Sequence, residues 1–212
     1  MFTGIIQAVG NIESVSKLEK GVRLSIAKGD LDISNIKEGD SIAINGACMT
    51  VVQKSDSGFE VDVSAESLSK TSGLDKEGYV NLECAMKLGD TVDGHLLSGH
   101  VDGVARVVGV TQEGESHKIE ILIPEDLASF MAYKGSVAVD GVSMTVNDVN
   151  DVFSPEDPHS EDMIPEGTII SLNVIPHTFK NTTLQYLKAG DEVNIEIDTI
   201  ARYVQRMMQA PF

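Results

Sequence analysis

The sequence predicts an all-β protein: two tandem, similar Greek-key domains of barrel or sandwich type, followed by one C-terminal α-helix. Three observations predict this. The chain repeats itself, since Asn45-Gly46-Ala47-Cys48-Met49-Thr50-Val51 returns as Asp140-Gly141-Val142-Ser143-Met144-Thr145-Val146. Short runs rich in Val and Ile alternate with Gly, Asp, Asn and Ser in both halves, the pattern of period-two strands joined by tight turns. After Asp198 the period changes, and Ile200, Tyr203, Val204, Met207 and Met208 fall on one helical face.

The elements follow in order. The opening Thr3-Gly4-Ile5-Ile6 corresponds to Ser98-Gly99-His100-Val101. GVRLSIAKG, GDSIAINGA, GFEVDVSAE and GYVNLECAM read as strands of the first half, and KIEILIPED, GSVAVDGVS, TIISLNVIP and DEVNIEIDT as strands of the second. A period of roughly 100 residues marks a duplicated domain rather than a solenoid. The boundary is expected near Gly94, giving domains at 1–94 and 95–197 and a helix at 198–212. Where the first half turns with Asp56-Ser57-Gly58, the second carries a long insertion rich in Pro, Asp, Glu and Ser; residues 151–167 read as an exposed acidic hairpin tip. Asp198 or Thr199 is the expected N-cap of the final helix. Its methionine-rich stripe must pack on its own chain or on another copy.

Composition narrows the function. The chain has 212 residues, 42% of them apolar, enough for two compact cores. A net charge of −17 without any basic run would be repelled by a phosphate backbone or an anionic membrane, so no nucleic-acid or membrane partner is expected. The start has no signal-peptide pattern, and a cytoplasmic location is the expectation. Cys48 and Cys84 read as reduced thiols rather than a disulfide framework.

No G-x-S-x-G elbow, Walker loop, G-x-G-x-x-G fingerprint or H-E-x-x-H pair occurs. His95 and His100 stand five apart; on a β-rich segment that spacing sends them to opposite faces, so no metal site is expected. Matched positions of the two halves are more informative. Cys48 faces Ser143, Ile5 faces His100, Glu66 faces His177 and Gly39 faces Lys134, whereas Ser41 agrees with Ser136 and Thr50 with Thr145. Two similar pockets, differently decorated, are implied.

At these residues the chain resembles the riboflavin synthase family: MFTGII, NGACMTV, GHLLSGHVDG, YKGSVAVDGVSMTV, IPHTFKNTTL and VNIEID carry the likeness, which covers nearly everything but the insertion. The resemblance implies two six-stranded barrels, a C-terminal oligomerisation helix and a homotrimer. It implies dismutation of two 6,7-dimethyl-8-ribityllumazine molecules to riboflavin and 5-amino-6-(ribitylamino)uracil, with no metal or redox cofactor. It raises lumazine synthase as a partner without deciding the matter. Duplication then has a physical reason, because two related pockets hold two identical reactants and proximity removes much of the barrier.

The resemblance also implies roles. Cys48, with Ser41, adds a nucleophile or water at C7 of one lumazine, a task suited to a thiolate. His100 and Ser143 transfer protons, joined at the same site by Thr145 and Lys134. Asp198 reaches the active site, and Phe2 lies over the reacting pair. Binding is expected on strand edges: Gly4, Ile5 and Ile6, Cys48, Met49 and Thr50, and Asp62, Val63, Ser64, Ala65, Glu66 and Ser67 in the N-barrel. Their counterparts are Gly99, His100 and Val101, Ser143, Met144 and Thr145, and Asn173, Val174, Ile175, Pro176, His177 and Thr178. Glu66 suits ribityl hydroxyls.

The competing class is a lumazine or flavin carrier of the same fold that binds without catalysis. Such carriers degrade the second-half motifs, which are intact here. A flavin-binding reductase barrel is a third reading; it predicts a following nucleotide-binding domain with a glycine fingerprint, and no such segment is present.

Overall fold

The computed structural model describes residues 1–155 and 163–209. Strands β1 (Ala8–Leu18), β2 (Gly21–Ala27), β3 (Ser41–Ile44), β4 (Ala47–Lys54), β5 (Gly58–Ser64) and β6 (Gly78–Cys84) close into an antiparallel barrel in the cyclic order β1-β2-β5-β4-β3-β6. Strands β7 (Gly103–Glu113), β8 (Ser116–Pro124), β9 (Ser136–Val139), β10 (Val142–Pro155), β11 (Met163–Val174) and β12 (Glu192–Ile197) close a second barrel in the same cyclic order. Closure removes the sheet edges that an open sandwich would leave unpaired.

The likeness extends to irregularities. The register of β1 slips between Ile12 and Ser14 and that of β7 between Val107 and Gly109. β4 slips between Val51 and Gln53, and β10 between Val146 and Asp148. Each bulge bends its strand at the matching residue, so both barrels close in the same way. Inward positions are aliphatic in both: Leu24, Ile26, Ile42, Ile44, Val61 and Leu82 in one, Ile119, Ile121, Val137, Val139, Leu172 and Ile195 in the other, all buried.

The described parts of the insertion are paired strands. Asp151–Pro155 and Met163–Gly167 prolong β10 and β11 as paired strands, and the tip at 156–162 lies outside the described residues. β11 has 12 residues, so a rise of about 3.3 Å per residue carries Met163 roughly 36 Å from Val174 and the turn that follows it.

The described residues also form α-helices α1 (Ala65–Lys70), α2 (Glu125–Ala128), α3 (Pro176–Lys180) and α4 (Thr199–Gln209), and a 3-10 turn at Thr183–Tyr186. α4 is capped by Asp198, whose Oδ1 accepts the Ile200 N–H at 2.8 Å. Its apolar stripe is bare: Ile200, Tyr203, Val204, Met207 and Met208 are all at least half exposed. Arg202 turns the other way, onto Asp102, through Nη1–Oδ1 at 2.8 Å and Nη2–Oδ2 at 2.9 Å. Among the described residues no helix is long and apolar enough to cross a membrane.

The barrels meet on a pseudo-twofold axis. The β3–β4 and β9–β10 hairpins turn at Asn45-Gly46 and Asp140-Gly141, with positive φ at all four residues, the two-residue turn that matches strand twist. Gly46 and Gly141 touch so closely that a Cβ on Gly46 would come within 2.8 Å of the Gly141 nitrogen. Around them lies a buried amide network. Asn45 Oδ1 accepts the Asn81 N–H at 2.7 Å, and Asp140 Oδ1 accepts the Asn194 N–H at 2.9 Å. Asn81 Nδ2 donates to the Asp140 carbonyl and Asn194 Nδ2 to the Asn45 carbonyl, each crossing to the other barrel.

Candidate active site

The segments ahead of β1 and β7 do not stay on their own barrels. Phe2 and Leu97 form an antiparallel bridge, with N–O distances of 2.8 and 3.0 Å. From it each strand end crosses over: the Ser143 N–H donates to the Gly4 carbonyl and the Cys48 N–H to the Gly99 carbonyl, both at 2.8 Å. Gly4 to Ile6 therefore belong to the pocket of Ser143, in the C-barrel, and Gly99 to Val101 to that of Cys48, in the N-barrel. This corrects the expected grouping, which put each segment with the barrel that follows it in sequence. Glycine is required at both crossings. φ is +76° at Gly4 and +78° at Gly99, and a Cβ would lie 2.6 Å from that of Ser143 or Cys48.

The Cys48 pocket is a cavity of about 290 Å³ lined by Ala47, Cys48 and Met49 from β4, Glu66, Ser67, Lys70 and Thr71 around α1, and Gly99, His100 and Val101. The segments expected as strand edges after β5 and β11 instead wind into α1 and α3. Ser64 caps α1 by accepting the Ser67 N–H at 3.0 Å, and Pro176 opens α3. This brings Glu66 to the same cavity as Cys48. Val63 and Val174 point into the barrel interiors and offer a pocket only their backbone. Asp62 is held on the barrel wall by Arg23, at 2.7 and 3.0 Å, away from the cavity, and that guanidinium keeps its carboxyl below the usual range.

Several expected partners are separated. Ser41 pairs with Thr50 and Ala43 with Cys48, so Ser41 and Cys48 share a sheet face. Ser41 nevertheless opens onto a different cavity of about 780 Å³, with Gln7, Asp40, Cys84 and Met86. Phe2 is buried with Ala43, Leu97 and Ala138, a plug against which Cys48 packs, rather than standing over an open pocket. Lys134 Nζ donates to Asn147 Oδ1 at 3.0 Å. Thr50 and Thr145 are exposed at matching places.

His95, passed over as half of a metal pair, is the residue that touches Ser143: its Nδ1 lies 2.7 Å from Ser143 Oγ. Residues 91–102 carry no strand beyond the bridge at Leu97, so the alternation argument does not apply to them. His95 and His100 diverge because one follows Gly94 towards Ser143 and the other follows Gly99 towards Cys48. Burial lowers the His95 pKa, partly opposed by the Asp198 carboxylate. His95 stands just ahead of the part of the second half that aligns with the first, which is why matched positions did not reveal it.

The Lumazine binding domain matches the chain twice, at residues 3–85 and 98–198. Riboflavin synthase of Brucella abortus (strain 2308) is 42% identical over 216 residues, covering 99% of this chain and 98% of that one. The enzyme of Photobacterium phosphoreum is 40% identical over 210 residues, covering 98% and 89%. The chain belongs to the riboflavin synthase family. Solved structures of LumP complexed with riboflavin and with 6,7-dimethyl-8-(1'-D-ribityl) lumazine superpose with TM-scores of 0.77 and 0.75 at 28% and 27% identity, covering 93% of this chain and 99% of those. The six-stranded barrels, their duplication and the terminal helix that the resemblance implied are all present.

Proposed function

We propose that the protein is a riboflavin synthase: it binds one 6,7-dimethyl-8-ribityllumazine in the Cys48 pocket and one in the Ser143 pocket, and moves a four-carbon unit between them. Riboflavin and 5-amino-6-(ribitylamino)uracil leave in equal amounts, and no outside oxidant is needed because one lumazine gives what the other takes. The observation that carries the reading is that both halves of the doubled frame keep their pocket motifs, NGACMTV with Cys48 and DGVSMTV with Ser143. The four-carbon transfer needs two working sites, whereas a carrier of the same fold needs only one. Cys48 serves addition at C7. Ser143 with His95 serves proton transfer, Asp198 biases that imidazole, and His100, Glu66, Thr145 and Lys134 contribute around the bound rings.

The reactants meet between subunits of a cytoplasmic homotrimer. Two features support this: the Phe2–Leu97 plug fills the space beside Cys48 within one chain, and the bare face of α4 calls for another copy. Incubating the purified protein with the lumazine alone should yield riboflavin and the pyrimidinedione 1:1; tight binding without turnover would establish a carrier instead. Deleting residues 199–212 should leave ligand-binding monomers with little turnover, read by sedimentation and assay. A fully active monomer would show that the pockets meet within one chain.

A further inference from the structure

Two buried glutamates outside the pockets hold the crossing segments. Glu83, on β6, accepts three hydrogen bonds: the Thr3 N–H and the Thr3 hydroxyl to Oε1, both at 2.7 Å, and the Gly4 N–H to Oε2 at 3.0 Å. Glu196, on β12, does the same for the second half: the Ser98 N–H and hydroxyl to Oε1 at 2.7 and 2.6 Å, and the Gly99 N–H to Oε2 at 3.0 Å. Both side chains are almost wholly buried, at 3% and 2% exposure. Fixing a backbone corner through both its N–H groups and a hydroxyl leaves the carbonyl of the glycine aimed one way. For Gly4 that way is Ser143, and for Gly99 it is Cys48.

We propose that the two pockets are braced crosswise: Glu83 of the N-barrel is a positioning residue for the Ser143 pocket, and Glu196 of the C-barrel is a positioning residue for the Cys48 pocket. This rests on the two-pocket reading above. Neither carboxylate touches a pocket; each acts through the segment it grips. The pairing is reciprocal because each glutamate sits on the last strand of the barrel whose leading segment it catches, while that segment's glycine closes the pocket of the other barrel. Glutamine is a poor replacement, since its single carbonyl oxygen serves one side of the grip and its amide N–H₂ confronts a backbone N–H on the other. Threonine and serine, by contrast, are interchangeable as hydroxyl donors, and the two halves use one each.

The test reads one pocket at a time by thiol alkylation, without lumazine. In a Cys84→Ala background Cys48 reports on the N-barrel pocket. In a Cys84→Ala, Cys48→Ser background, Ser143→Cys reports on the other. Glu196→Gln should raise the iodoacetamide rate at Cys48 on the order of tenfold, the equivalent of losing one charged hydrogen bond, and leave the Ser143→Cys reporter unchanged. Glu83→Gln should do the reverse. Both should lower kcat in the otherwise unaltered enzyme, whereas Thr3→Ser and Ser98→Thr should preserve it. Should a glutamine variant not fold, Thr3→Val and Ser98→Ala remove one donor each and should show the same crossed pattern more weakly. Equal labelling at both reporters, or labelling confined to the barrel that carries the altered glutamate, overturns the proposal. Absence of turnover in the unaltered protein with the crossed labelling intact would sink the enzyme reading and leave the bracing standing.

Discussion

The two barrels agree in strand order, bulge positions, turn type and the grip on the crossing segment, and they differ at a handful of side chains facing the sites. Position 48 is a thiol where 143 is a hydroxyl; Ile5 follows the glycine bonded to Ser143, where His100 follows the glycine bonded to Cys48 and lines its cavity; Ser143 is hydrogen-bonded to His95. On the axis, Asn45 faces Asp140. What was kept is the backbone frame, and what diverged is the set of thiol, hydroxyl and imidazole side chains around it. Two copies of one ligand can be bound by one frame, but they must be treated differently if one is to give and the other to receive.

The frame can be broken equally from either side. Gly4→Ala and Gly99→Ala both place a methyl 2.6 Å from a Cβ at a positive φ. Each should cost roughly 3 kcal/mol or more and abolish turnover, as urea melts and assay would show. An effect at one position alone would mean that the crossings are not equivalent. Asp140→Asn makes the axis symmetric. Desolvation pushes the Asp140 carboxyl from 3.8 up to about 7, against one backbone hydrogen bond from Asn194. A raised folded pKa means that stability from this group is complete below the unfolded pKa and lost as pH rises through about 7. The substitution should therefore stabilise the protein at pH 8 by about 2–4 kcal/mol and flatten the fall in melting temperature between pH 5 and 8. A steeper fall would show that the charge is compensated.

Catalytic divergence is tested by the two cysteines. Cys48→Ala should lower kcat on the order of a hundredfold. Cys84→Ala, at a half-buried thiol whose pKa burial raises, should cost about 1 kcal/mol of stability and little turnover. Equal losses of turnover in two folded variants would remove Cys48 from the chemistry. The smallest effect concerns Gln7 and Asp102, which catch β6 and β12 by the same bond: Gln7 Oε1 accepts the Cys84 N–H and Asp102 Oδ2 the Ile197 N–H, both at 2.9 Å. Asp102 adds an ion pair with Arg202, whose guanidinium is partly exposed while the carboxylate is mostly buried. Arg202→Ala should cost no more than about 1 kcal/mol, less in high salt, by thermal melting.

The duplication, the strands and the terminal helix were legible because period and turn residues are local signals. The matching of Cys48 with Ser143 and of Glu66 with His177 was legible because the repeat sets them side by side. The exchange of Gly4 and Gly99 was not, since sequence similarity identifies matching segments without saying which barrel each lies against. His95 was missed because its partner Ser143 is distant in the chain and its own position has no match. The α1 and α3 turns hide in runs whose neighbouring strands dominate the pattern, and the burial of Asp140 follows from an inter-barrel contact that no single repeat contains.

The crossed segments also set a timetable for the growing chain. β1 to β6 are synthesised first and can close on themselves, yet the wall of the Cys48 pocket is still missing, because Gly99 has not been made. Gly4 is made ahead of the barrel it precedes and waits for Ser143, on a strand that comes much later. Both pockets are thus completed only when the second barrel forms, although the first is ready to fold as a unit on its own. A nascent chain arrested between the barrels holds a finished scaffold with no finished site, and competence arrives for both pockets in one late step.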